Sequence, residues 1–131
     1  MPMSNYLRNK LIDHVNGKAA YTMPAAVYVA ALTSASTVTT PGTEVSTTST
    51  GYARQAITSA MSASSNGTSA NTAAIVLGPA TASWGTVTDW AIFDALTGGN
   101  MLWFGSLSAS KTIGSADELK FAAGSLSQTL T

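Results

Sequence analysis

The chain has 131 residues, enough for one domain with a real core. Only 9% of residues are charged, and six acidic and six basic side chains cancel. There is then no field to steer a nucleic acid or an anionic membrane, and no cysteine for a disulfide or thiolate metal site. Ser and Thr make up roughly a quarter of the residues, giving a polar but nearly uncharged surface that lacks the self-repulsion keeping monomers apart. The N-terminal stretch MPMSNYLRNKLIDHV carries charges throughout and reads as neither a signal peptide nor a membrane span, so synthesis in a cytosol is expected.

Residues 4–17 read as the one helix. Ser4 is a capping residue, Leu7, Leu11, Ile12 and Val15 form a narrow apolar stripe, and Asn16-Gly17 supplies a left-handed stop. Such a short helix needs a surface to dock on, in its own subunit or a neighbouring one. After Pro24, residues 25–33 (AAVYVAALT) read as a strand apolar on both faces. Residues 34–51 lose all periodicity around Pro41-Gly42 and read as a long loop, solvated or offering its Ser and Thr hydroxyls to a partner backbone. Residues 52–58 (YARQAIT) alternate as a second strand, with Arg54 on the solvent face or paired with a carboxylate. Residues 62–71 are rich in turn residues. Asn66-Gly67-Thr68 matches a glycosylation sequon but reads more naturally as a turn.

A third strand covers residues 72–77 and stops at Gly78-Pro79. The centre of the chain is the hairpin that follows. Two apolar runs, Val87–Phe93 and Met101–Leu107, flank Thr97-Gly98-Gly99-Asn100, where Gly and Asn accept the positive φ of a tight connection. Strict alternation puts Val87, Asp89, Ala91 and Phe93 on one face and Thr88, Trp90, Ile92 and Asp94 on the other. It likewise groups Met101 with Trp103, and Leu102 with Phe104. A carboxylate is costly to bury, so Asp89 is expected at an edge or strand end. Aromatics bury the most area per residue, so Trp90, Phe93, Trp103, Phe104 and Phe121 are the expected core. Short strands at residues 110–113, 118–122 and 126–130 complete a single domain over residues 1–131. The expected fold is all-β, a jelly-roll-like two-sheet β-sandwich with one short N-terminal helix.

No residue pattern points to catalysis. The one histidine, His14, sits on the helix and is expected to be solvated. The six carboxylates are scattered; Asp89 and Asp94 fall on opposite faces of one strand, and Asp117-Glu118 are neighbours that point apart. There is no phosphate loop and no nucleophile elbow, so the expectation is a protein that is not an enzyme and uses no cofactor or metal. A sugar platform would need an exposed aromatic ring, and Trp84, before Gly85, is the best candidate.

Several segments in succession carry a resemblance: SNYLRNKLIDHVNGKAAYTMPAAVYVAALT, TEVS, GYARQAIT, NTAAI, ATASWGTVTDWAIFDALTGGNMLWFGSL and SKTIGSADELKFAAGSL. They resemble a family of small tailed-bacteriophage virion proteins, whose members are labelled tail fibre proteins and some of which are similar to capsid cement, or decoration, proteins. The resemblance covers nearly the whole chain. Two departures are Asp89, where His or another residue is usual, and Ala31, where Leu is usual; neither bears on the fold. The resemblance implies a structural virion protein. The leading expectation is a homo-oligomeric cement protein, dimer or trimer, bound to the major capsid protein on the outside of the capsid and bridging capsomers. The alternative is a tail or tail-fibre component that binds a receptor or carbohydrate. Contacts are expected from the helix, the 34–51 loop, Tyr6, Tyr28, Thr43, Glu44, Val45, Tyr52 and Arg54.

Overall fold

A computed structural model describes residues 2–130. In chain order it contains helix α1 (Asn5–Val15) and strands β1 (Tyr28–Leu32), β2 (Gln55–Ala56), β3 (Thr68–Ala70), β4 (Ile75–Leu77), β5 (Gly85–Phe93), β6 (Met101–Ile113), β7 (Leu119–Phe121) and β8 (Ser127–Thr129), with one 3-10 turn at Thr58–Ala60. The fold is an all-β sandwich with one short helix. Its main layer is a four-stranded antiparallel sheet in the order β2-β1-β5-β6. Two antiparallel ribbons, β3–β8 and β4–β7, complete the strands.

The β5–β6 hairpin is the centre of the molecule because its apolar residues serve both faces of the sheet. On the inner face, Val29, Ala31, Trp90 and Ile92 pack with Ile75, Leu77, Leu119 and Phe121 from the β4–β7 ribbon. On the outer face, Ala30, Leu32, Ala91, Phe93, Met101 and Phe104 form a second cluster, with Val38 of the 34–51 segment against it. Trp90, Phe93, Trp103, Phe104 and Phe121 are all buried.

Strict alternation fails at two irregularities. Val87 pairs with Lys111 and Asp89 with Ser106, so Thr88 alone faces the four residues Leu107–Ser110. A bulge of this kind resets which side each residue faces. Val87 therefore joins Trp90 and Ile92 in the inner core, not the Ala91–Phe93 face expected for it. At the other end, Ile92 pairs with Trp103 and Phe93 with Met101, leaving Leu102 over. Leu102 and Trp103 consequently both reach the inner core, while Met101 and Phe104 share the outer one. Asp89 is not at an edge. It is buried mid-strand between Leu32 and Ser106, and its Oδ1 accepts a 2.7 Å hydrogen bond from the Thr88 hydroxyl.

Other boundaries shift for local reasons. Residues 110–113 are not a separate strand but the end of β6. β3 lies inside the stretch expected to be all turn. Asn66 (φ 52°) and Gly67 (φ 76°) form a two-residue turn closed by paired Ser65–Thr68 backbone bonds of 2.9 and 3.0 Å, and the chain leaves it directly into β3. Only Gln55–Ala56 of the second expected strand pairs with β1.

Helix α1 begins where Ser4, itself buried, accepts a 3.2 Å bond from the Leu7 amide, and it ends at Asn16 before Gly17 (φ 71°). It is moored from its N-terminal side: the Ser4 amide donates to Leu102 O (2.9 Å) and the Asn5 amide to Val38 O (2.8 Å). Of its apolar stripe only Leu7 is buried; Ile12 and Val15 stand 58% and 81% exposed. No helix of the described residues is long and apolar enough to cross a membrane.

Candidate functional site

The 34–51 segment folds against its own sheet. Val45 N donates to Ala31 O and Thr33 N to Thr43 O, so residues 43–45 extend the β1 edge where β2 leaves off. Its hydroxyls bond to its own backbone: Ser36 Oγ accepts from Gly42 N (2.9 Å), Ser34 Oγ from Thr43 N (2.8 Å) and Thr37 Oγ1 from Thr40 N (3.0 Å). Ser and Thr favour such local bonds in turns. These hydroxyl oxygens therefore accept bonds from the segment's own backbone.

Arg54 fastens this segment to the hairpin. Its Nε and Nη2 donate to Glu44 Oε2 (2.9 Å) and Oε1 (2.8 Å), the forked geometry that suits a carboxylate. Its Nη1 donates to Ala95 O (2.9 Å) and Gly98 O (2.8 Å) in the hairpin tip. The guanidinium lies 3.8 Å over the Phe93 ring. One planar cation thus joins three stretches of sequence. Tyr52 extends the cluster: its hydroxyl donates to Glu44 Oε2 (2.5 Å) and accepts from Ala31 N (3.0 Å), and its ring meets Trp84 edge-on at 5.2 Å. Trp84 Nε1 donates to Thr50 O at 2.8 Å.

Burial pushes the Glu44 carboxyl up, but hydrogen bonds from Arg54 and Tyr52 outweigh it and hold the group below its usual range. Burial, then the adjacent Glu44, drive the Tyr52 hydroxyl far above the ordinary tyrosine value. Glu44 is thus held as the carboxylate and Tyr52 as the phenol. They are committed to each other, Glu44 to Arg54 as well and Tyr52 to the Ala31 amide, so the cluster's chemistry is that of a fastener.

The seven residues expected to make external contacts divide accordingly. Val45 and Tyr52 are buried, and the Arg54 side chain is 7% exposed. Glu44 is partly exposed beside Arg54. Thr43 is exposed, while Tyr6 and Tyr28 are half-buried; the Lys10 ammonium sits 5.8 Å from the centre of the Tyr6 ring. Trp84, the best candidate for an exposed ring had there been a sugar platform, is buried under Tyr52. His14 accepts a 3.0 Å bond from Tyr21 N and so ties down the chain leaving the helix.

The hairpin tip carries residues that composition did not single out. Asp94 Oδ1 accepts from Asn100 N (2.7 Å) and Oδ2 from its side-chain amide (3.1 Å), closing the turn whose carbonyls Arg54 reads. The spacing D-x5-N around Gly-Gly was the available signal.

TEV, GYARQ and IFDALTGGN, three of the segments most distinctive in the sequence, therefore meet in one network. A family model described as podophage GP4 fiber I protein gp80 matches residues 2–129. No curated protein matches the chain. With the match running from one end of the sandwich to the other, the chain belongs to the podophage GP4 fibre I protein gp80 family.

Proposed function

We propose that the protein is a non-enzymatic structural component of a podophage tail fibre, assembled in the host cytoplasm as a homo-oligomer. The observation that carries this reading is the family match over residues 2–129, whose description names a fibre protein. That description favours the tail over the capsid surface, the site first expected from the resemblance. The Arg54 cluster supports a structural role, because its acid, base and phenol are spent on joining segments of the chain. Trp84, Trp90 and Trp103 are buried, so a fibre role here does not rest on a tryptophan sugar platform. Cryo-electron microscopy of intact virions tests the location. Density for this chain in the tail fibres is expected; copies spanning capsomer seams on the icosahedral shell would overturn the reading and restore a cement role with the major capsid protein as partner.

A further inference from the structure

Asp89 sits where a sheet rarely tolerates a carboxylate. It lies mid-way along β5, paired with Leu32 on β1 and Ser106 on β6, and is only 9% exposed. Cross-strand partners share a face, and Leu32 belongs to the outer cluster. The Asp89 side chain is therefore directed to the outer face of the sheet, at the end of that cluster. A charge buried to this degree is ordinarily paired. Among the described residues the ion pair is Arg54–Glu44, so Asp89 has no cation at salt-bridge distance. Its one bond within the chain is the 2.7 Å contact from the Thr88 hydroxyl to Oδ1.

The other half of this carboxylate is open. No fully buried side-chain oxygen of the described residues lacks a partner, so Oδ2, which has none, still touches solvent. The side chains beside it are short: Thr88 is half-buried and Ser106 exposed. The Thr88 hydroxyl gives its proton to Asp89, so its oxygen can now only accept. What remains here is a set of acceptors, namely Oδ2 and the spare lone pairs of Oδ1 and Thr88 Oγ1. Only a donor complements such a set, and a cationic donor also supplies the missing charge.

We infer that Asp89 receives an arginine side chain from a neighbouring protein. The planar guanidinium carries parallel N–H donors, one for Oδ2 and one for Oδ1 or Thr88 Oγ1. Its long stem passes the short side chains at the rim. Folding has already removed most of the water from the carboxylate, so docking adds mainly the desolvation of the incoming cation. An acid that folding leaves unpaired is thus prepared for a partner that the chain itself does not supply.

The test is titration of the full chain with an end-blocked Gly-Arg-Gly peptide, and with the same peptide carrying citrulline, which keeps arginine's shape without its charge. Amide chemical shifts report the site. The arginine peptide is expected to shift the amides of Leu32, Thr88, Asp89 and Ser106 and to bind about ten-fold tighter than the citrulline peptide. Asp89→Asn keeps an oxygen for Thr88 to donate to and removes the charge. It is expected to abolish the preference for arginine and to leave Tm unchanged or raised, because the fold loses an unpaired buried charge. Equal response to both peptides, no response, shifts elsewhere on the molecule, or a preference that survives in Asp89→Asn would each overturn the proposal. A lowered Tm in Asp89→Asn would overturn it too, since the charge would then serve the fold itself.

Discussion

Replacing Arg54 by alanine removes a group that touches Glu44, the hairpin tip and Phe93 together. Breaking a buried ion pair costs about 3–5 kcal/mol through the charge left behind. Here Glu44 keeps the Tyr52 hydroxyl, and its side chain is 27% exposed, so water can solvate the orphan and the pair's share falls below that range. The lost stacking on Phe93 adds roughly 1 kcal/mol. The carbonyls of Ala95 and Gly98 lose bonds worth about 1 kcal/mol each, partly replaced by water at the exposed Gly98. These contributions overlap, and a total of about 3 kcal/mol follows, or a Tm lower by roughly 12 °C for a chain of this size. Urea and thermal unfolding followed by the fluorescence of the three buried tryptophans would measure it. Arg54→Lys keeps the charge but not the fork and is expected to recover less than half of the loss. A loss below about 1 kcal/mol, or strict additivity in the Glu44→Ala, Arg54→Ala cycle, would refute the fastening role.

The same cluster sets two pH limits. The folded pKa of Glu44 lies below its unfolded value, so its contribution is present above about pH 4.3 and is lost as pH falls through the depressed folded value; Glu44→Gln should flatten that acid limb. The folded pKa of Tyr52 is raised, so its contribution is intact below about pH 10 and is lost as pH rises beyond it; Tyr52→Phe should remove that alkaline sensitivity in a pH series of unfolding curves. Gly105→Ala places a Cβ 2.7 Å from Trp90 Cζ2 and 3.0 Å from Cε2, against a ring that is itself buried, and is expected to cost about 1–3 kcal/mol and to alter the near-ultraviolet dichroism. Leu7→Ala should loosen helix α1 at a cost of about 2 kcal/mol, whereas Val15→Ser, at an exposed site, should change stability by less than about 0.5 kcal/mol; protease nicking between residues 16 and 23 reports the difference.

Much of the fold was legible because its strongest local signals are also its centre. The Gly98-Gly99 turn between apolar runs marked the hairpin, and Ser4 with Asn16-Gly17 marked the helix. What escaped detection was set by long-range geometry. Period-two alternation placed Val87 on the wrong face because nothing in the residues around Thr88 announces a bulge against Leu107–Ser110. Asp89 was expected at an edge because local sequence does not show that Thr88 would hold its carboxylate beneath the sheet surface. Arg54 was read as paired with a carboxylate or solvated; its partner Glu44 is ten residues away, while the carbonyls it also binds belong to a turn formed much later in the chain. Trp84 looked available to solvent because Gly85 follows it, yet its indole N–H had a buried carbonyl to meet at Thr50.

The Arg54 fastening also imposes an order of events. Its bond to Glu44 spans 10 residues, but those to Ala95 and Gly98 span 41 and 44. The two carbonyls converge on one guanidinium only when Asp94 and Asn100 have already closed the tip. The hairpin, built from neighbouring residues, costs little loop entropy and forms early; the 34–51 segment can lock down only afterwards. Loss of Arg54 should therefore leave the folding rate nearly untouched and speed unfolding, so that the segment over the outer face is the last part to close and the first to open.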